Sequence, residues 1–469
     1  MARPRTVYAC TECGGQQPQW HGRCPACGAW STLVEEVHQR EGPQAARDLL
    51  QREKRAGASK LSTLRDISSD ETPRLETGIC ELDRVLGGGL VPASVVLIGG
   101  EPGVGKSTLA LQLAARMQCS GPFLYVTGEE SPAQLRMRAE RLPQIPEDML
   151  VLPETRVEEI AEPWRERNPS VVLVDSVQTL RTDRVESAPG SVAQVRECAA
   201  LLAATAKSHG AVLILIGHVT KEGQLAGPRV LEHLVDVVLN FEGDRGQPFR
   251  LLRASKNRFG STDEVGVFTM TAAGLEGVAN PSELFLAERQ TGTPGSSIVP
   301  VVEGTRPMLV EIQALVAPAG YGTARRTSLG IDDGRLALLL AALDRRSDVD
   351  LVSKDIYVNV TGGVRISEPG ADLALALALA SSRLDLPLPP DVAACGEVGL
   401  GGEIRRVGRI DLRLREAVRL GFHRVLLPAG AEEAARPPAE ARVIPVADAA
   451  AAVAWLRASS AVNGAVNIR

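Results

Sequence analysis

Apolar residues along this chain recur in two rhythms, and the change from one to the other lays out its elements. Unbroken apolar runs open the segments 95–100, 123–131, 171–180, 211–220 and 237–243, and they read as strands buried on both faces. Between them, apolar positions repeat at helical spacing, as in 131–141 and 192–208. The alternation predicts an α/β fold: a mostly parallel sheet with helices on both faces. Ligands of such sheets gather at the carboxyl ends of the strands, so the residues closing these runs deserve inspection. Beyond about residue 283 the pattern changes. Strand-like runs at 296–316 and in DIYVNVTGG, with the helix-like GRLALLLAALDRR and GADLALALALASS, predict a separate α+β domain over 284–469. Residues 36–60 are polar and charged with little periodicity, a linker by composition.

The run 95–113, VVLIGGEPGVGKSTLALQL, organises the rest. Its loop, Gly100-Glu101-Pro102-Gly103-Val104-Gly105-Lys106-Ser107-Thr108, joins a strand to a helix and fits the pattern Gly-x4-Gly-Lys-Ser. Glycines let successive N–H groups turn toward phosphate oxygens, and the helix start adds its positive dipole end. Lys106 is expected on the β- and γ-phosphates and the Ser107 hydroxyl on Mg²⁺, which makes ATP and magnesium the expected ligands. Asp175, closing VVLVD, is the expected second anchor for the ion. Glu129 and Glu130 close the neighbouring run; Glu130 is favoured to polarise the attacking water, with Glu129 next. His218 reads either as a γ-phosphate sensor or as a structural histidine.

Near the start, Cys10-Thr-Glu-Cys13 and Cys24-Pro-Ala-Cys27 are two CxxC pairs, each followed by glycine (Gly14, Gly28). Four thiolates at that spacing close a tetrahedral Zn²⁺ site, and so small a segment, 1–35, takes its folding energy from the metal. Trp20 and Trp30 are expected to pack on this ribbon or to serve as stacking platforms, and His21 is not needed as a ligand. Cys80, Cys119, Cys198 and Cys395 stand alone and read as reduced, mostly buried thiols.

Composition narrows the partners. A net charge of −5 rules out a globally basic nucleic-acid binder, so any such surface is a local patch. No apolar run approaches a membrane span, and MARPRTVYACTEC has no secretory signal, so no membrane partner and a cytoplasmic location are expected.

TGICELDRVLGGG, GGEPGVGKST, VTGEES, LVDSVQT and GHVTKEG together resemble the RecA-like ATPases. Lys256-Asn257-Arg258-Phe259-Gly260, with the Cys₄ ribbon, resembles the bacterial RadA (Sms) family of DNA-repair proteins over nearly the whole chain. The resemblance implies a RecA-like core at 61–283 and a homohexameric ring with ATP between subunits. It implies single-stranded DNA in the channel, and a helicase-like motor extending branched recombination intermediates with the RecA recombinase. ATP shared between subunits needs a cation from the neighbour, and Lys256 and Arg258 are expected to supply it or to contact DNA. Loops at 181–190 and 220–229 leave strand ends where RecA-like proteins grip DNA. Arg181, Arg184, Lys221 and Arg229 are their expected phosphate contacts, and Gly and Pro in both suggest mobility.

The segment 356–422 is similar to the proteolytic domain of Lon, whose Ser–Lys dyad cuts peptide bonds. Here Gly370 stands where the Ser belongs and Asp411 where the Lys belongs, so a non-proteolytic scaffold is expected. Ser367, Ser381 and Lys354 lie nearby in sequence as possible substitutes. Arg405, Arg406, Arg409, Arg413, Arg415 and Arg419 read either as a second DNA surface or as partners of Glu403, Asp411 and Glu416 between subunits.

Overall fold

A computed structural model describes residues 5–10, 16–26, 28–30, 32–38, 73–119, 121–217, 230–243, 249–320, 324–431 and 437–466. Cys13, Cys27, His218, Lys221, Arg229 and nearly all of the 36–60 segment lie outside them. The chain divides into two compact units, with the boundary near Gly277 and residues 247–249 joining the second.

The N-terminal ribbon is a small antiparallel sheet in which β1 (Arg5–Cys10) pairs with both β2 (Gln16–Gln17) and β3 (Leu33–His38). Its buried cluster holds Cys10, Cys24 and Leu33, with Tyr8 packed against them. Among the described residues, so small a cluster is too little to hold a fold without a metal or another covalent support.

In the rest of the first unit, nine strands among the described residues form one sheet. They are β4 (Val95–Gly100), β5 (Phe123–Thr127), β6 (Leu150–Pro153), β7 (Val171–Asp175), β8 (Val212–Ile216), β9 (Val237–Glu242), β10 (Phe249–Asn257), β11 (Val265–Thr271) and β12 (Gly274–Gly277). Their order is β12-β11-β10-β9-β4-β8-β7-β5-β6, so β4 sits near the middle with β9 and β8 at its sides. The strands from β9 to β6 run parallel, while β10 to β12 add an antiparallel extension.

The unbroken apolar runs follow from burial on both faces. Val96, Ile98 and Leu173 enter the core under the helices Cys80–Leu86 and Lys106–Arg116. Val95, Leu97, Val172 and Val174 enter the opposite core under the helices Val157–Arg167 and Val192–His209. Ser131 starts the helix Pro132–Ala139 with a capping box closed by Gln134, and Gly210 ends Val192–His209 in the left-handed conformation.

The second unit holds a seven-stranded mixed sheet of β13 (Ser296–Glu303), β14 (Arg306–Pro318), β15 (Arg326–Leu329), β16 (Lys354–Val360), β17 (Val392–Ala394), β20 (Arg424–Pro428) and β21 (Arg442–Val446). The short β18 (Glu397–Val398) and β19 (Ile404–Arg405) pair separately. The helix Asp372–Leu384 is buried at every position from Asp372 to Ser381, which is why its sequence is apolar all round. No described helix is long and apolar enough to cross a membrane.

The cysteines outside the ribbon are less uniformly buried than expected. Cys198 and Cys395 are buried and burial pushes both thiols up to about 12, but Cys119 is half-buried. Cys80, the first residue of its helix, is exposed, while Glu81, Leu82, Val85 and Leu86 make the buried face.

Candidate functional site

Strand register brings the chemistry together. Thr127 lies level with Asp175, Asp175 with Ile216, and Ile216 with Ile98. The Gly100–Lys106 loop, the Glu129 turn and Asp175 therefore leave the same edge of the sheet. Gly103 (φ 84°) and Gly105 (φ 118°) hold conformations that residues with a Cβ rarely adopt. At Gly105 it is the φ that calls for glycine, since an added Cβ would meet chiefly the movable tip of Met270, Cε at 2.9 Å.

Lys106 is buried and its Nζ donates to the carbonyls of Gly100 (2.6 Å) and Glu101 (2.9 Å). Burial lowers its pKa, and the carboxylates of Asp175, Glu129 and Glu101 pull the other way. Ser107 and Thr108 follow as the first residues of the helix Lys106–Arg116, partly exposed. The helix is fixed at its far end through Gln112, which bonds both the N–H and the carbonyl of Leu275 at 2.9 Å. These residues fit a nucleoside triphosphate with magnesium: a backward-folded glycine loop, one ammonium, a hydroxyl and a strand-end carboxylate.

Asp175 is buried, and Tyr125 Oη donates to its Oδ2 at 2.7 Å. Burial first, and then the Asp175 charge, push the Tyr125 hydroxyl well above the ordinary tyrosine range. The next residue, Ser176, donates from Oγ to Glu129 Oε1 at 2.5 Å. Gly128 permits this approach, since a Cβ there would collide with Thr179 Oγ1. Glu130 is engaged elsewhere: its Oε1 accepts from Arg138 Nη1 at 2.7 Å. Both acids thus have a side-chain partner, Glu129 in the residue after Asp175 and Glu130 in an arginine eight residues on. Sequence reasoning missed Tyr125 and Ser176. Ser176 stood next to Asp175, but Tyr125 looked like one more core residue of an apolar strand.

Lys256 and Arg258 are not brought to this edge. Asn257 is level with Val237 on β9, and Val237 with Val96 on β4. Four strand residues, roughly 13 Å, separate that level from Gly100. Lys256 Nζ instead donates to the carbonyls of Glu232 (2.6 Å) and Val235 (2.7 Å). Arg258 Nη1 donates to Asp236 Oδ1 at 3.1 Å, and Asp236 Oδ2 accepts from the Val95 N–H at 3.0 Å. Arg74 reaches across to the Phe259 and Leu86 carbonyls, closing the motif onto the helix Cys80–Leu86.

Among the expected DNA contacts, Arg181 and Arg184 are exposed. Their loop is held rather than loose: the Gln194 amide donates to the carbonyls of Thr182, Val185 and Ser187 and accepts the Thr182 N–H. Arg184 stands 3.8 Å from Glu197.

In the ribbon, Cys10 and Cys24 are brought into one buried cluster, and their thiols suit zinc. Gly28 (φ 78°) turns the chain so that its N–H bonds the Cys24 carbonyl at 2.8 Å. Trp20 and Trp30 are 56% and 72% exposed, so neither is packed away; Trp20 donates to the Leu33 carbonyl and Arg23 lies over the Trp30 ring.

In the second unit, Gly370 is buried and Asp411 exposed. The space beside Gly370 holds Arg413, 4% exposed in its side chain and ion-paired with Glu368. Arg413 also donates to the carbonyls of Pro300 (2.5 Å) and Gly408 (2.9 Å). Ser381 Oγ is occupied by the Gly295 N–H and the Leu386 carbonyl, Lys354 pairs with Asp350, and Ser367 is exposed. Three of the six arginines of this run pair within their own chain: Arg405 with Glu403, Arg419 with Glu416, and Arg413 with Glu368.

Three family matches cover these regions: a rubredoxin metal binding domain at 8–35, an AAA domain at 62–224, and the C-terminal proteolytic domain of Lon protease (S16) at 342–440. The chain is 48% identical over 454 residues to the DNA repair protein RadA of Bacillus subtilis, covering 97% of this chain and 99% of that protein. It is 51% identical over 432 residues to the DNA repair protein RadA of Pseudomonas aeruginosa, covering 92% and 94%. The solved KaiC-like protein PH0186 of Pyrococcus horikoshii is 19% identical, covers 44% of this chain and 99% of its own, and superposes with a TM-score of 0.37. The N-terminal zinc ribbon, the RecA-like ATPase core and the Lon-like C-terminal domain, together with identity over nearly the full length, place this chain in the family of the DNA repair protein RadA.

Proposed function

We propose that this chain is a DNA-dependent ATPase that moves along single-stranded DNA as a homohexameric ring, promoting branch migration of recombination intermediates with the RecA recombinase. The observation that carries this reading is the split between the two edges of the sheet. Lys106, Ser107, Asp175 and Glu129 share one edge, and Lys256 and Arg258 stand at the other, so no single protomer supplies both to one ATP. Transfer of a phosphoryl group gains from a cation aimed at the developing charge, and here an adjoining copy would bring it.

In this reading the N–H groups of Gly100–Gly105 and Lys106 hold the triphosphate, with Thr108 beside them. Ser107 and Asp175 would hold magnesium, which would supply charge neutralisation to the phosphates. Glu129, fixed by Ser176, accepts a proton from the attacking water as the water oxygen bonds the γ-phosphorus and the bond from that phosphorus to the β–γ bridging oxygen breaks, leaving ADP and phosphate. Arg181 and Arg184, with Lys221 and Arg229, meet the DNA backbone; no aromatic residue lies in either loop, so phosphate tracking without base readout follows. Cys10, Cys13, Cys24 and Cys27 hold zinc in the ribbon. The Lon-like domain serves as a scaffold without proteolysis, because Gly370 offers no nucleophile and Asp411 no amine.

Strand displacement on forked DNA tests the motor directly. Wild type is expected to displace the strand with ATP, and Lys256→Ala to retain ATP binding but lose displacement. A second reading, a nucleotide-switched factor that binds DNA without moving, is favoured by the self-paired arginines of 405–419 and the tethered 181–190 loop. It would take over if ATP hydrolysis proved indifferent to DNA while binding stayed intact.

A further inference from the structure

We infer that Tyr125 is a positioning residue for the magnesium site: its hydroxyl fixes the Asp175 carboxylate so that one oxygen remains committed to the protein and the other is presented to the ion. The inference rests on the nucleotide reading above and adds a residue to it.

Tyr125 lies on β5, two positions before Thr127, the residue level with Asp175 on β7. Its side chain therefore reaches diagonally across to the next strand, a span that an aromatic ring covers and a short side chain does not. The ring is 1% exposed and sits in the core with Leu173 and Leu135, so its direction is set by packing. At its tip, Oη donates to Asp175 Oδ2 at 2.7 Å. A carboxylate on a short side chain can rotate about its last bond; a buried donor on one oxygen removes that freedom. Outer partners that orient a ligating carboxylate change metal affinity by roughly ten- to a hundredfold when removed. The apolar strand also has no need of a hydroxyl: phenylalanine would fill the same space, and the only described partner of this one is Asp175.

Tyr125→Phe removes the donor and keeps the ring. The probe is Mn²⁺, followed by electron paramagnetic resonance in the presence of a non-hydrolysable ATP analogue, with analogue binding also measured in EDTA. The inference expects the Mn²⁺ dissociation constant to rise about tenfold while metal-free analogue binding stays within about twofold. The Mg²⁺ concentration for half-maximal ATP hydrolysis should rise in parallel. Unchanged Mn²⁺ affinity would overturn the inference, as would an equal loss of metal-free binding, which marks a role in the fold alone. Failure of the wild type itself to bind Mn²⁺ with the analogue would instead remove the nucleotide reading beneath it.

Discussion

Ser176 Oγ donates to Glu129 Oε1 at 2.5 Å, and the serine is itself fully buried beside Asp175. The adjacent Glu130 gives its carboxylate to Arg138. Two neighbouring acids thus have different partners, and the proposed function gives the attacking water to Glu129 and the tie to the helix Pro132–Ala139 to Glu130. Glu129→Gln is expected to lower kcat for ATP hydrolysis by about 10²-fold or more, with KM changed by less than about threefold. Glu130→Gln should leave kcat within about threefold, since its half-buried pair with Arg138 serves the helix and not the water. Steady-state hydrolysis of the two variants side by side decides it, and the reverse order would restore Glu130 to the site.

Much of this site could be read before any coordinates, for a physical reason. The Gly100–Lys106 loop makes its chemistry from consecutive backbone groups, so its pattern survives in one dimension, and Asp175 is marked by the strand it ends. The choice between Glu129 and Glu130 is different, because it depends on Ser176, 47 residues away, and on Arg138. The arginine run at 405–419 is limited by the same cause: a charge run shows its sign but not its partners, and Arg413 is paired with Glu368, 45 residues upstream. Tyr125 was hidden because a buried aromatic in an apolar strand carries no mark of its hydroxyl's use.

Removing zinc should act on the ribbon alone. Its buried cluster of Cys10, Cys24 and Leu33 cannot hold β1–β3 together without metal. Chelation, or Cys24→Ser, is expected to release the Trp20 indole from the Leu33 carbonyl, seen as a change in tryptophan fluorescence. ATP affinity should stay within about twofold, because the nucleotide site draws on none of these residues. A large loss of ATP binding on chelation would show that the ribbon supports the core.

Restoring the two missing residues of the Lon dyad should not restore proteolysis. In Gly370→Ser with Asp411→Lys, the new hydroxyl would stand beside the Arg413 guanidinium and the Glu368 carboxylate, already paired. A permanently charged donor there cannot accept the serine proton. Casein hydrolysis by the double variant is expected to match the blank. Glu368→Ala, by contrast, leaves a buried guanidinium unpaired and should destabilise the domain by about 3–5 kcal/mol, read by denaturant unfolding.

Mixing inactive variants tests whether the two sheet edges meet between copies. Lys106→Ala has lost the phosphate ammonium but keeps Lys256; Lys256→Ala has the reverse. If each ATP is completed by the neighbour, random assembly at equal amounts gives about one interface in four with both groups intact. Hydrolysis should then recover to about a quarter of wild type, although each variant alone is inactive. Lys256 also holds the carbonyls of Glu232 and Val235, which gives its loss a second route, through the helix Val230–Leu234. That alternative makes the defect internal to each protomer, and no mixing ratio would then recover activity. Recovery that rises and falls with the ratio of the two variants, peaking at equal amounts, is therefore the outcome that assigns Lys256 to its neighbour's ATP.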